Sequence, residues 1–324
     1  MKSTKIIFTI VYSIFFVVVT LLIGCNTEID NEDLLDGNKP AAKHIVKVVA
    51  HTPDNDNADT RVSFSAKNGG GYSVLWDEDE KFLIGEFIDD GLNQETGSSD
   101  FVKTADDGSS AAFSFEMSMF SYDYDELDYY VAYPYDNVSG FFDDNYEKSV
   151  IYTLPYSQKQ SISGLVDNSG VLMFGESKGH SEQPETLDIH FRHIASYGRM
   201  TLTGLAAEEG EKVNSVSFET DDTLAAGLVE YYWEKGTLTA IDKHSKSITV
   251  NVSSLDYDAN EDIEVWFSTL PTKELSKFTV RVETDKKIYT REVQIPTNRT
   301  GLKFEVGVVS AFIVDMLTAS TTEK

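Results

Sequence analysis

Residues 113–119 read FSFEMSM, a stretch in which apolar and polar side chains alternate at every position. Successive side chains of a β-strand point to opposite faces of a sheet, so this stretch predicts a strand with one buried face. The same period of two recurs in other runs, whose apolar members are Val46, Val48, Ala50; Leu187, Ile189, Phe191; Met200, Leu202; Ile248, Val250, Val252; Ile263, Val265, Phe267; Phe278, Val280, Val282; Leu302, Phe304, Val306; and Phe312, Val314, Met316. Many short strands without sustained helical periodicity predict an all-β protein built from β-sandwiches.

The first 25 residues have the pattern of an export signal. Lys2 and Lys5 precede an apolar run over residues 6–23, and Gly24-Cys25 follows it. This ending resembles the lipobox of bacterial lipoproteins, in which the signal is cut before the cysteine and the thiol is lipidated. The resemblance predicts a signal peptide over 1–24 and lipidation, including palmitate, at Cys25. The alternative is an uncleaved signal anchor.

An acidic segment follows the cysteine. Residues 25–43 carry several carboxylates and few apolar side chains, which predicts a tether that does not fold by itself. Acidic residues at this position resemble the surface-export signal of Bacteroidetes lipoproteins. We therefore expect an outer membrane lipoprotein exposed on the cell surface.

Composition excludes some classes of function. The 54 acidic and 27 basic residues give a formal net charge of −27, which repels phosphate backbones and argues against nucleic-acid binding. Cys25 is the only cysteine, so an intramolecular disulfide is impossible and the fold depends on its core alone. The turn-rich stretch at 178–185 predicts a boundary between one sandwich domain over 44–184 and another over 185–324.

Three motifs resemble sites of catalysis or metal binding. Gly175-Glu176-Ser177-Lys178-Gly179 fits the G-x-S-x-G pattern of serine hydrolases, but the residues that follow are a poor helix start. Asp54–Asp59 resembles a calcium loop without its glycine and its closing glutamate. His190 and His193 have no accompanying metal motif. The sequence thus predicts a protein that is not an enzyme, with no metal site and no cofactor.

Five segments in order resemble the fimbrillin family of Bacteroidetes, the subunits of type V pili. They are Trp76–Glu80 with the strand at 82–87; the YPY segment at 133–135; the LPYSQ turn at 154–158; the FRHIA segment at 191–195 with the strand at 200–205; and the closing segments at 302–307 and 312–315. Together they span nearly all of the chain beyond the tether.

The resemblance implies two tandem transthyretin-like β-sandwich domains and assembly by donor-strand exchange. A protease would cut after an arginine, here Arg61, and release a first strand that contains Val46, Val48 and Ala50. A strand from another subunit would then fill the vacated groove. The candidate donor lies within 308–319 and contains Phe312, Val314 and Met316.

The partners implied are other fimbrillin subunits, the outer membrane through the lipid on Cys25, and a host or glycan ligand. Only residues 317–324 follow the closing strand, so a separate donor extension is short or absent, and shaft, tip and anchor roles stay open. The alternative function is a surface lipoprotein that binds glycans or host ligands without polymerising.

Overall fold

The computed structural model describes residues 43–52, 65–66, 72–73, 76, 80–89, 91–103, 109–119, 124–144, 147–160, 166 and 168–324. Up to residue 184 the strands are β1 (Lys43–His51), β2 (Ser65–Ala66), β3 (Tyr72–Ser73), β4 (Leu83–Ile88), β5 (Gly91–Gly97), β6 (Ser99–Lys103), β7 (Ser110–Ser118), β8 (Leu127–Tyr133), β9 (Val138–Asp144), β10 (Glu147–Leu154), β11 (Ser157–Lys159) and β12 (Met173–His180). Beyond residue 184 they are β13 (Thr186–His190), β14 (Arg192–His193), β15 (Ser196–Thr203), β16 (Val213–Glu219), β17 (Ala226–Tyr232), β18 (Thr237–Asp242), β19 (Ser247–Asn251), β20 (Ile263–Thr269), β21 (Lys277–Thr284), β22 (Lys287–Gln294), β23 (Val309–Asp315) and β24 (Ser320–Glu323).

The helical content of the described residues is limited to three 3-10 helices, Tyr135–Asn137, Asn168–Gly170 and Ser253–Leu255. The predicted all-β class is therefore confirmed. None of the helices in these parts of the chain has the length and apolar character needed to span a lipid bilayer.

Three sheets form layers that combine strands from both sides of residue 184. The first sheet has the order β13-β1-β7-β6, the middle sheet β14-β12-β8-β4-β5, and the third sheet β18-β17-β10-β9. The first sheet approaches the middle one closely, since a Cβ on Gly175 of β12 would lie 2.6 Å from Ile189 Cγ2 of β13. On the other face, Phe87 of β4 packs against Phe141 of β9, with ring centroids 6.1 Å apart.

Both faces of the middle sheet are covered, and its sequence reflects this. All seven residues of β8 are buried. A strand buried on both faces has no polar side to alternate with its apolar one. The stretch LDYYVAY at 127–133 consequently lacks the period of two that marks β7.

Apart from the short two-stranded sheet β2-β3, the remaining strands form a two-layer sandwich. A six-stranded sheet, β11-β19-β16-β21-β22-β24, packs against a three-stranded sheet, β20-β15-β23. Phe218 of β16 stacks on Phe267 of β20 at 5.5 Å and contacts Phe312 of β23 at 5.7 Å. These aromatic contacts between the two sheets confirm the predicted sandwich core.

One predicted strand does not form. Residues 302–306 make only a single bridge, between Leu302 and Leu275, followed by a turn. Phe304 is nevertheless buried, against Phe218 and Phe267. β23 pairs in parallel with β15, so the closing segments at 302–307 and 312–315 do not pair with each other as a hairpin.

Strand pairing crosses the predicted domain boundary at residue 185 in four places. β1 pairs with β13, β10 with β17, β11 with β19, and β12 with β14. Residues Lys43–Lys324 form one compact unit. The domain boundary between residues 184 and 185 stays a prediction from the sequence.

Candidate functional site

The first strand occupies an interior position in its sheet. All nine residues of β1 are paired antiparallel with Ser110–Ser118 of β7. Its last five residues are paired in parallel with Thr186–His190 of β13. Removal of β1 would therefore leave two strand edges facing each other across a gap one strand wide.

The inward face of β1 is apolar from Val46 to Ala50. Val46, Val48 and Ala50 are each 0% exposed. Val46 is paired with Phe115 and Val48 with Phe113, both of which are also buried. The three residues that the sequence assigned to a removable strand thus line one continuous core, and without them the gap would have an apolar floor.

A hydrogen-bonded network lies at one end of the gap. Glu86 is fully buried and accepts hydrogen bonds from Tyr129 Oη at 2.9 Å and from Gln183 Nε2 at 3.1 Å. Gln183 Nε2 also donates to the carbonyl of Ser118, the residue paired with Lys43. Burial, followed by the charge of Glu86, raises the pKa of the Tyr129 hydroxyl well above its usual range. This network fixes the end of β7 against the middle sheet.

At the other end, β1 ends at His51 and Thr52 follows it. Thr52 donates from its backbone N–H and from Oγ1 to the carbonyl of Ser109, at 2.9 and 3.1 Å. Residues 53–64 follow. Arg61, the predicted cleavage position, belongs to that segment and lies outside the described residues, as do Cys25, the signal peptide and most of the tether.

The outward face at this end of β1 carries three ligand-type side chains. His51 Nε2 lies 2.8 Å from Asp188 Oδ1, and His190 Nε2 lies 3.9 Å from the same oxygen. The two imidazole rings stack with centroids 4.6 Å apart. From the sequence alone, His190 was grouped with His193 as a candidate pair of metal ligands. His193 is instead buried, and its Nδ1 contacts Tyr197 Oη at 2.8 Å. His51 is 139 residues from His190, so only the pairing of β1 with β13 brings them together.

The candidate donor strand is built into the protein's own sandwich. Phe312 of β23 is paired with Met200, and Val314 with Leu202. Val314 and Met316 are 2% and 1% exposed, and Phe312 packs against Phe218, Phe278 and Phe304. β23 is the last strand of its sheet, and its outward residue Ile313 is 73% exposed.

The G-x-S-x-G motif does not form a nucleophile elbow. Ser177 lies within β12, Gly179 has a φ of +75°, and the next element is the strand β13. Ser177 Oγ is 2.9 Å from His180 Nε2. An elbow requires a helix directly after the serine, and none follows. Trp233 and Trp266 are 5% and 1% exposed, so neither indole ring offers a free face on which a sugar could stack.

Comparison with known proteins gives a likeness in structure. No protein-family model matches the chain, and no curated protein matches it. A candidate cell adhesion protein from Bacteroides ovatus matches with a TM-score of 0.51 at 13% identity, over 87% of this chain and 96% of that one. A candidate cell adhesion protein from Bacteroides uniformis gives 0.48 at 12% identity, over 87% and 96%.

The fimbrial anchor protein Mfa2 from Porphyromonas gingivalis gives a TM-score of 0.36 at 11% identity, over 84% of this chain and 90% of that one. The chain accordingly shares its all-β sandwich fold with a candidate cell adhesion protein of Bacteroides ovatus.

Proposed function

We propose that this chain is a surface-displayed fimbrial subunit that accepts a strand from another subunit after its own first strand has been removed. The observation that carries the proposal is the interior position of β1, which has ladder pairing on both sides. The name of the Bacteroides ovatus protein, a candidate cell adhesion protein, is in keeping with a role at the cell surface.

The energetics favour replacement of the strand over an empty groove. Burying one valine side chain contributes about 1.5–3 kcal/mol, and β1 buries two valines and an alanine. A groove without β1 exposes Phe113 and Phe115 together with two sets of backbone donors and acceptors. A foreign strand with alternating apolar residues would satisfy both requirements, which is the physical basis of strand addition.

The position of β23 favours an acceptor over a donor. The core of this chain is already filled in part by Phe312, Val314 and Met316. Donating these residues to another subunit would remove β23 from the three-stranded sheet and open the core of the sandwich. β24, which follows, has four exposed residues, Ser-Thr-Thr-Glu, and offers no apolar face to a groove. A subunit that accepts but does not donate would end a polymer, at the tip or at the anchor.

The proposal includes the lipid anchor and the localisation predicted from sequence. Lipidation of Cys25 with palmitate would hold the uncut precursor on the outer membrane, and cutting at Arg61 would detach the rest of the chain. Other fimbrial subunits are the partners, and a host or glycan ligand would be bound by the assembled fimbrium.

A second candidate is a surface lipoprotein that never polymerises. It is favoured by the same observation on β23, because β23 and β24 are both paired within this chain and would have to leave their sheets to be donated. In that case β1 would stay in its sheet permanently.

Limited digestion of the purified full chain with an arginine-specific protease tests the proposal. We expect an early cut after Arg61, absent from Arg61→Ala. We also expect the cut protein, but not the uncut one, to bind a labelled peptide with the sequence of residues 43–52. A peptide carrying aspartate in place of Val48 is the matched control and should not bind. A folded protein that resists cutting at Arg61 while other arginines are cut would favour the second candidate.

A further inference from the structure

The cluster of His51, Asp188 and His190 joins the first strand to its neighbour. His51 is the last residue of β1, and its pairing partner on β13 is His190. Asp188 lies two residues before His190 and therefore on the same outward face. The backbone is fixed here too, since the N–H of Phe191 donates to the carbonyl of His51 at 3.0 Å.

The spacing of these groups is close to that of a metal site. The ligand atoms of all three residues lie within 4.8 Å of one another. Zinc binds histidine nitrogen and carboxylate oxygen at about 2.0–2.2 Å, so two ligands of a tetrahedral site are separated by about 3.4 Å. The separations of 2.8 and 3.9 Å from Asp188 Oδ1 lie on either side of that value.

The side chains are free to make the small adjustment that remains. The His51 side chain is 33% exposed, Asp188 70% and His190 61%, so each imidazole can turn without displacing core atoms. Two imidazoles and one carboxylate form a ligand set of the kind found in open zinc sites, where water takes the fourth position. The net charge of −27 also raises the local concentration of cations.

We propose that His51, Asp188 and His190 bind a divalent transition metal of the zinc type, and that the bound metal clips β1 to β13. The cluster draws one ligand from the removable strand and two from the strand that stays, so the site exists only while β1 is in place. The site itself stands on this geometry, whereas its regulatory role rests on the proposed removal of β1.

The clip has a quantitative consequence. A ligand that binds only the closed form lowers the open population by a factor of one plus its concentration divided by its dissociation constant. At a zinc concentration of 100 times the dissociation constant, opening of β1 should fall about 100-fold. Zinc would thus delay release of the first strand after cutting, and its removal would allow strand exchange.

Zinc titration of the full chain tests the site. Cys25→Ser is used as the background, because a thiolate is itself a zinc ligand. We expect one saturable site, weakened at least 10-fold by His51→Ala, by His190→Ala and by Asp188→Asn. His244→Ala, which removes an exposed histidine elsewhere, is the matched control and should bind as tightly as the background protein. Absence of saturable binding, or equal binding by all variants, would overturn the proposal.

Amide hydrogen exchange of residues 43–52 tests the clip without any cutting. Zinc should slow this exchange in the background protein and not in His190→Ala, whose substitution leaves β1 itself unchanged. Zinc binding without slower exchange would overturn the clip.

Release of the first strand after cutting at Arg61 separates this inference from the proposed function. Release that zinc slows and a chelator restores would support both. Release at the same rate with and without zinc would overturn the clip and leave the proposed function standing. If a chelator-treated, cut protein never releases the strand, the proposed function fails, and the exchange measurement alone decides the clip.

Discussion

At the scale of single residues, the burial of Val48 supports the proposal that the first strand can be replaced by another strand. It is fully buried between Phe113 of β7 and Leu187 of β13, which are its pairing partners. We expect Val48→Ala to lower the free energy of unfolding by about 2 kcal/mol, because it removes two methyl groups and leaves a cavity. Val49→Ala, on the opposite and only partly buried face of the strand, is the control. Denaturant titration of both variants makes the comparison, and equal losses would mean that β1 has no distinct inward face.

Also at this scale, Tyr289 makes the free energy of unfolding depend on pH in the alkaline range. Burial, followed by its hydrogen bond to Glu211, raises the pKa of Tyr289 to about 12. The folded state therefore holds a proton that the unfolded state loses near pH 10, so the stabilisation is complete below pH 10 and lost towards pH 12. We expect the unfolding free energy to fall over this window, and less steeply in Tyr289→Phe. Tyr156→Phe, at an exposed tyrosine, is the control. An unchanged slope in Tyr289→Phe would contradict this assignment.

At the scale of elements, β23 and β24 differ in what they contribute to the fold. β24 consists of exposed residues paired with β22 at the edge of a sheet, whereas β23 supplies buried Val314. We expect a chain ending at Ala319 to unfold within a few degrees of the full chain. A chain ending at Val308 should lose cooperative unfolding, because the aromatic core around Phe218 is then open on one side. Thermal scans distinguish these outcomes. If the shorter chain were as stable as the longer one, β23 would be free to act as a donor.

The elements also show how far the sequence reaches. Alternation was enough to predict β1, β7, β13, β15, β19, β20, β21 and β23, because more and less buried side chains alternate along most of them. It failed for β8, whose two faces are both buried, and for residues 302–306, where Phe304 is buried from a loop. The cluster of His51 with His190 also could not be predicted from the sequence. It depends on a parallel pairing between strands far apart in the chain, for which no local pattern exists.

At the scale of the whole molecule, we propose that β1 is a removable part of an otherwise complete fold. The first and third sheets cover the two faces of the middle sheet, and β1 belongs to the first sheet only. Loss of β1 therefore opens one groove and leaves the middle sheet, the third sheet and the C-terminal sandwich with their own pairings. Such a molecule is suited to stay folded while it waits for a strand from another subunit.

The central claim is tested most directly on protein sheared from the cell surface, by N-terminal sequencing and by an unboiled denaturing gel of the same sample. The account predicts a chain that begins at Val62 and runs in heat-sensitive complexes with other subunits. A chain that begins at an acylated Cys25 and runs only as a monomer would contradict it, and would identify a surface lipoprotein that keeps its first strand.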